Sequence, residues 1–166
     1  GWGWNDVLPY FLKSENQERG QSDYHGVGGP LSVADQRIKL SILDAFMNAA
    51  EEVGIPKVND FNKGDNFGCG YFQVTEKNGL RCSTAVGYLN PIKERKNLEI
   101  KTKCHVEKIN FDGKKAISVS FWKDNNSFTI KANKEIILSA GSIGSAQILQ
   151  TSGIGDGNKL SQLGIN

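Results

Sequence analysis

The run Glu135-Ile136-Ile137-Leu138 feeds directly into Ser139-Ala140-Gly141 and then into a helical pattern, and it constrains the fold more than any other stretch of the chain. An apolar strand without alternation is what coverage on both faces requires, as in the sheet of an α/β domain. The small residues that end it would place backbone N–H groups and the positive end of a helix dipole at the carboxyl edge of that sheet. Ligands of open α/β sheets bind at that edge, and Ala140 and Gly141 would let a flat or anionic cofactor approach the backbone closely. A strand, a glycine and a helix also make an ordinary βα turn, so both readings stay open on these residues alone. The helix is expected to run through Ile148 and Leu149 and to stop at Ser152-Gly153-Ile154-Gly155. Asp156 is placed to cap a last helix carrying Leu160 and Leu163 before Gly164.

Upstream of that unit the pattern is of short strands joined by turn signals: Leu98 to Thr102, His105 to Phe111, Ala116 to Trp122 and Ser127 to Lys131, with turns at Asp112-Gly113 and Asp124-Asn125-Asn126. This predicts a β-meander. Earlier still, Asp6 is positioned to cap a helix presenting Val7, Leu8, Tyr10 and Phe11, with Pro9 in its first turn and an end near Glu15. The stretch Tyr24-His25-Gly26-Val27-Gly28-Gly29-Pro30 reads as a loop leading to a short strand at Leu31. A second helix follows, with Ser41 and Asp44 as a capping-box variant, a stripe of Leu43, Phe46, Met47, Ala50 and Val53, and a stop at Gly54 and Pro56. A strand is predicted from Gly68 to Thr75, a turn at Lys77-Asn78-Gly79 and a short helix from Ser83 to Leu89. The change of pattern at Pro91 to Asn97 marks a boundary between a mixed α+β unit and part of an α/β domain with an inserted meander.

The composition, with 38% hydrophobic and 23% charged residues, is that of a folded globular chain. Twenty basic and 18 acidic residues are scattered, which excludes a nucleic-acid footprint; the one cluster, Lys93 to Lys96, reads as a solvated loop. Cys69, Cys82 and Cys104 have neither disulfide-framework nor metal-ligand spacing, so no metal site is expected and a reducing compartment follows. The start Gly1-Trp2-Gly3-Trp4, without an initiator Met, and the finish Leu163-Gly164-Ile165-Asn166, like a helix end entering another strand, suggest an internal piece of a larger protein.

Taken in register, Ser139-Ala140-Gly141-Ser142, Ser145-Ala146, Ile148-Leu149 and Ser152-Gly153-Ile154-Gly155 resemble the second signature of the glucose-methanol-choline (GMC) oxidoreductase family. Ala146 departs from the Pro or Ser usual there. The segments Gly1 to Phe11, Tyr24-His25-Gly26 to Leu31, Asn78-Gly79 with Arg81 to Leu89, and His105-Val106 also look like family segments in the family's order, most closely in the choline and alcohol dehydrogenase branch.

The resemblance implies a FAD-binding domain of the glutathione-reductase type, with its β-meander, and a separate substrate-binding domain. Residues 1–92 would be mostly substrate domain and 93–166 a return to the FAD-binding domain. It implies that Val106 meets the FAD adenine through its main chain and that Ser139, Ala140 and Gly141 lie beside the dinucleotide. The family's Gly-x-Gly-x-x-Gly turn is missing, since Gly26, Gly28 and Gly29 have the wrong spacing, and so is its C-terminal catalytic His. No catalytic residue is therefore expected in this chain, and the chain alone is expected to be inactive and to retain little or no FAD. The implied activity of the parent is oxidation of an alcohol or choline to an aldehyde, with hydride passing to the flavin. The alternatives are a FAD-containing hydroxynitrile lyase of the same fold and a free-standing binding module.

The remaining candidates have ordinary readings beside the functional ones. His25 is expected to order its loop by hydrogen bonding, and His105 to be a strand residue. Trp2, Trp4, Tyr71, Phe72 and Trp122 could cage a quaternary ammonium but are too dispersed, so core packing is expected. Arg81 with Ser83 and Thr84 could hold a phosphate or simply cap a helix. The expected partners are a small-molecule alcohol and, through exposed sheet edges, other copies of the chain. The expected location is cytoplasmic, with peripheral attachment to the inner membrane as a variant.

Overall fold

A computed structural model describes residues 1–165. It divides the chain into two compact units, Gly1–Leu98 and Glu99–Asn166, with the break at the end of the Pro91 to Asn97 stretch. Asn166, the last residue of the segment expected to run on from the final helix, lies outside the described residues.

The first unit opens with helix α1 (Trp4–Ser14). Asp6 is not its N-cap: the cap is Gly3, and Asp6 stands in the first turn, where its carboxylate accepts from Gly3 N at 3.0 Å. A carboxylate there also faces the positive end of the helix dipole. The chain passes from α1 without a loop into strand β1 (Glu15–Gln17), which pairs in parallel with β2 (Leu31–Val33) in the register Glu15↔Leu31, Asn16↔Ser32, Gln17↔Val33. Helix α2 (Ser41–Glu52) is capped by Leu40 with no side-chain bond, so the capping box expected at Ser41 and Asp44 does not form. Asp44 instead accepts from Tyr71 Oη at 2.9 Å. The helix ends just before Gly54, as predicted, with Gly54 N donating to Glu51 O and Ile55 N to Ala50 O.

The strand expected from Gly68 to Thr75 is reduced to single bridges, Lys57↔Cys69 and Ala34↔Val74, before the hairpin of β3 (Glu76–Lys77) and β4 (Leu80–Arg81). The segment threads between other pieces of the unit rather than along one partner, so its aromatic and β-branched content does not become a ladder. The predicted helix at Ser83 to Leu89 is present as a π-helical turn, Ala85–Leu89, continuing into a 3₁₀ turn at Asn90–Ile92. Apolar burial in this unit is thin: Ala34, Ala50 and Cys82 are its buried hydrophobic residues, and the polar Gln17 and His25 are buried as well.

The second unit is built on the predicted meander, β5 (His105–Asp112), β6 (Lys115–Lys123) and β7 (Asn126–Lys131), all antiparallel in that order. Asp124 and Asn125 both have positive φ, the conformation a two-residue hairpin loop needs. Register shifts fall between Val106 and Lys108 and between Asn110 and Phe111. One face buries Ile109 and Phe121, with Phe128 stacked on Phe121 at 5.6 Å between ring centroids. The other carries a polar row in which Asn110 Nδ2 donates to Ser118 Oγ at 3.0 Å and Ser120 Oγ at 2.9 Å.

Helix α3 (Gly141–Thr151) packs on β5: Thr151 Oγ1 donates to Glu107 O at 2.7 Å, and Ile109 N donates to Ser152 Oγ at 2.8 Å. Asp156 caps α4 (Gly157–Gln162) as predicted, accepting from Asn158 N and Lys159 N.

Two predicted strands do not form. Leu98 to Thr102 has no ladder partner, and neither has Glu135 to Leu138, whose Ile137 is 77% exposed. An extended segment becomes a strand only when a neighbour takes up its N–H and C=O groups, and no described residue stands in that position for either one.

Candidate functional site

The residues expected to face a cofactor lie at two places in the second unit. Val106 is the second residue of β5, half-buried and opposite Phe121, immediately before the bulge at Glu107. β5 is an edge strand of its sheet, and bulges often re-aim an edge next to a binding site. Ser139, Ala140 and Gly141 lead into α3 and are exposed. Ala140 is the N-cap, with no side-chain bond to the helix, and its own N–H donates to Ser145 Oγ at 3.0 Å. The first-turn N–H groups of α3 therefore keep no capping side chain, which leaves them available to an acceptor from outside. Gly141 has φ of 82° and nothing within 4 Å of where a Cβ would stand. Open space and a backbone conformation suited to glycine make this a surface a flat or anionic group can approach. Val106 adjoins the residue bonded to the last turn of α3, so the length of that 11-residue helix, about 16 Å, separates the two places.

The first unit contains a cluster that the sequence reading had reduced to one histidine. His25 is 7% exposed; its Nδ1 lies 3.0 Å from both Glu15 carboxylate oxygens and its Nε2 lies 2.9 Å from Asp60 Oδ2. Gln17 and Gln73 form a reciprocal amide pair, at 3.0 and 2.8 Å, and Gln17 Nε2 also donates to Glu15 Oε1 at 3.2 Å. Both protons of the Gln17 amide are thereby used, so the 3.3 Å approach of its nitrogen to His25 Nδ1 does not require that ring nitrogen to accept. Each imidazole nitrogen faces a carboxylate, and only the imidazolium can donate to both. Burial pushes His25 toward the neutral form, but Glu15 and Asp60 outweigh it and hold its pKa above the ordinary histidine value.

The loop order expected of His25 is thus what its hydrogen bonds provide. The residues around it went unread, although five consecutive polar residues, Glu15 to Arg19, directly after an amphipathic helix were a usable signal. Each anchors another segment: Glu15 binds His25 and Gly26 N, Asn16 accepts from Gly28 N, Gln17 pairs with Gln73, Glu18 accepts from Asp35 N and Arg37, and Arg19 binds Asn59 O and Asp35. The Arg19 guanidinium, 2.7 Å away, holds the Asp35 carboxyl below the usual range.

A cavity of about 490 Å³ adjoins this cluster, with Trp4, Phe11, Tyr24 and Phe61 among its walls and Glu15 and His25 at one side. Of the dispersed aromatics, Trp4 meets Tyr24 at 6.3 Å and Phe72 meets Phe61 at 4.8 Å, while Trp122 lies on β6 of the other unit. Core packing does not describe four of the five: Trp2 is 94% exposed, and Trp4, Phe72 and Trp122 are also exposed, while Tyr71 is half-buried. Arg81 lies exposed on β4, and Ser83 Oγ accepts from Val86 N at 3.3 Å, a helix-capping contact. His105 is an exposed strand residue. Among the described residues no group of three or more His, Cys, Asp or Glu side chains is arranged to hold a metal ion, and no helix is long and apolar enough to cross a membrane.

Known proteins match this chain over nearly its whole length. The oxygen-dependent choline dehydrogenase of Pectobacterium atrosepticum is 42% identical over 168 residues, which is 99% of this chain and 30% of that protein. Human mitochondrial choline dehydrogenase is 38% identical over 165 residues, 99% of this chain and 28% of the human one. Among solved structures, pyridoxine 4-oxidase from Mesorbium loti has a TM-score of 0.89 at 30% identity, covering 99% of this chain and 33% of that one. A FAD-dependent oxidoreductase from Chaetomium thermophilum has a TM-score of 0.89 at 32% identity, covering 100% and 31%. The chain thus spans about a third or less of the proteins it resembles. The model of the GMC oxidoreductase family matches residues 1–166, and the chain belongs to that family.

Proposed function

We propose that the protein carrying this chain is a FAD-dependent oxidoreductase that oxidises the CH–OH group of an alcohol such as choline to an aldehyde. The single observation that carries this reading is the match of the family over every residue, with choline dehydrogenases as relatives at about 40% identity. FAD would accept the hydride. Residues 1–92 would belong mostly to the substrate-binding domain and 93–166 to the FAD-binding domain of glutathione-reductase type.

This chain's own contribution is to bind and orient. The main chain of Val106 would hold the adenine at the open edge of β5, and Ser139, Ala140 and Gly141 would let the dinucleotide lie against the uncapped first turn of α3. The open space at Gly141 and the uncapped N–H groups suit such a group, and an extended dinucleotide can reach over the length of α3 where a single ring cannot. Neither histidine suits the role of general base: His25 has both nitrogens committed to carboxylates, and His105 is exposed at the start of a strand. The base would come from elsewhere in the longer protein.

The test is to purify the full-length protein, look for bound flavin, and add choline and simple primary alcohols without oxygen. Bleaching of the flavin absorbance is the expected result; absence of flavin, or a flavin that no alcohol bleaches, refutes the reading. The 166-residue chain alone should retain little or no FAD, and stoichiometric binding in a titration would contradict that. Its edge strand β7, exposed at all six residues, is where copies of the isolated chain would pair.

A further inference from the structure

We propose that His25 is a pH-operated latch: doubly protonated, it joins the loop of residues 20–30 to the segment of residues 60–66 along one side of the cavity, and loss of its proton lets the two part. The geometry argues this in three steps. First, the two carboxylates that face the ring come from different places, Glu15 from β1 and Asp60 from the segment after α2, so the ring is the tie between them. Second, among the described residues they are the charged groups that face it. Gln17 and Gln73 are neutral and paired with each other, β2 offers Leu31 and Val33, and α1 brings Trp4, Leu8, Phe11 and Ser14 to the same cavity. Third, a neutral imidazole has one donor, so one carboxylate would then face a lone pair inside the unit, an arrangement that costs more than a merely missing bond.

The cavity gives the latch a consequence. Tyr24 and His25 line it from one loop and Phe61, Asn62, Gly64 and Asn66 from the other segment. Arg19 holds Asn59 O at 2.6 Å whatever the state of His25, and that contact sets the point about which residues 60–66 would swing. The loop bearing His25 has its own backbone bonds, Gln17 N to Gly26 O at 2.9 Å and Ser22 N to His25 O at 3.0 Å, whose protection reports its attachment.

The inference does not depend on flavin or turnover, so it stands or falls separately from the proposed activity. The experiment is hydrogen–deuterium exchange by mass spectrometry on the full-length protein between about pH 6 and about pH 9, corrected for the intrinsic rate at each pH. Peptides covering residues 17–30 and 58–67 should lose about tenfold in protection as pH rises, the lower end of what one charge-assisted hydrogen bond contributes, while peptides of α2 hold theirs. In Asp60→Asn the amide can donate to Nε2 while Nδ1–H serves Glu15, so a neutral ring is satisfied and the step should vanish. Constant protection in the wild-type protein, a parallel loss in α2, or a step of unchanged size in Asp60→Asn would each overturn the latch.

Discussion

Substituting Gly26 by alanine tests whether the first unit depends on the close approach of its glycine-rich loop to α1. A Cβ at that position would lie 1.8 Å from Leu12 O and 2.6 Å from Leu12 C. An ordinary carbon-to-oxygen contact needs roughly 3.3 Å, so loop and helix would have to separate by about 1.5 Å. Gly26 is held in place by Gln17 N donating to its carbonyl at 2.9 Å and by its own N–H donating to Glu15 Oε2 at 3.0 Å. A displacement of that size breaks both bonds and carries His25 away from its carboxylates. Losing one neutral and one charge-assisted bond, with the strain of overpacking, amounts to about 3–7 kcal/mol. That is a large share of the roughly 5–15 kcal/mol that stabilises a domain. Urea unfolding followed by far-UV circular dichroism measures it, with Gly28→Ala as the reference. Gly28 has positive φ, 79°, and open space around it, so its substitution should cost only about 1–2 kcal/mol. If Gly26→Ala unfolds at the same urea concentration as Gly28→Ala, the close approach is not what the glycine provides.

Gly141→Ala should cost about 1–2 kcal/mol through its backbone conformation alone, since no atom stands in the way, and thermal unfolding should show a correspondingly small shift. Asn110→Ala removes the donor shared by the buried Ser118 and Ser120 hydroxyls and should destabilise the meander by about 1–3 kcal/mol, read from its urea midpoint. The pKa of His25 is raised on folding, so its contribution to stability is fully present below about pH 6.5 and is lost as pH rises through the folded-state value. The stability difference between wild type and His25→Gln should therefore shrink from acid to alkaline pH; a constant difference would mean the ring's charge is not involved.

The amino-acid sequence by itself determined the local structure with short-range causes. Gly54, Gly153 and Gly164 end their helices, Asp156 caps the last one, Asp124-Asn125 turns the second hairpin, and short strand-like runs between turn signals along residues 105–131 set out the meander. It also carried the family, because the Ser139 to Gly155 register and the segments before it are local patterns. What it could not supply was pairing. Glu135 to Leu138 and Leu98 to Thr102 have strand composition and no strand beside them, while Glu15 to Gln17, polar and directly after a helix, pairs in parallel with β2. The same limit hid the His25 cluster. Its partners lie 10 and 35 residues away, and the Gln17–Gln73 pair spans 56, so no window along the chain brings them together. Helix ends and turns are decided by neighbours in sequence, whereas a strand partner or a carboxylate facing a buried imidazole is decided by which distant segments the fold sets side by side.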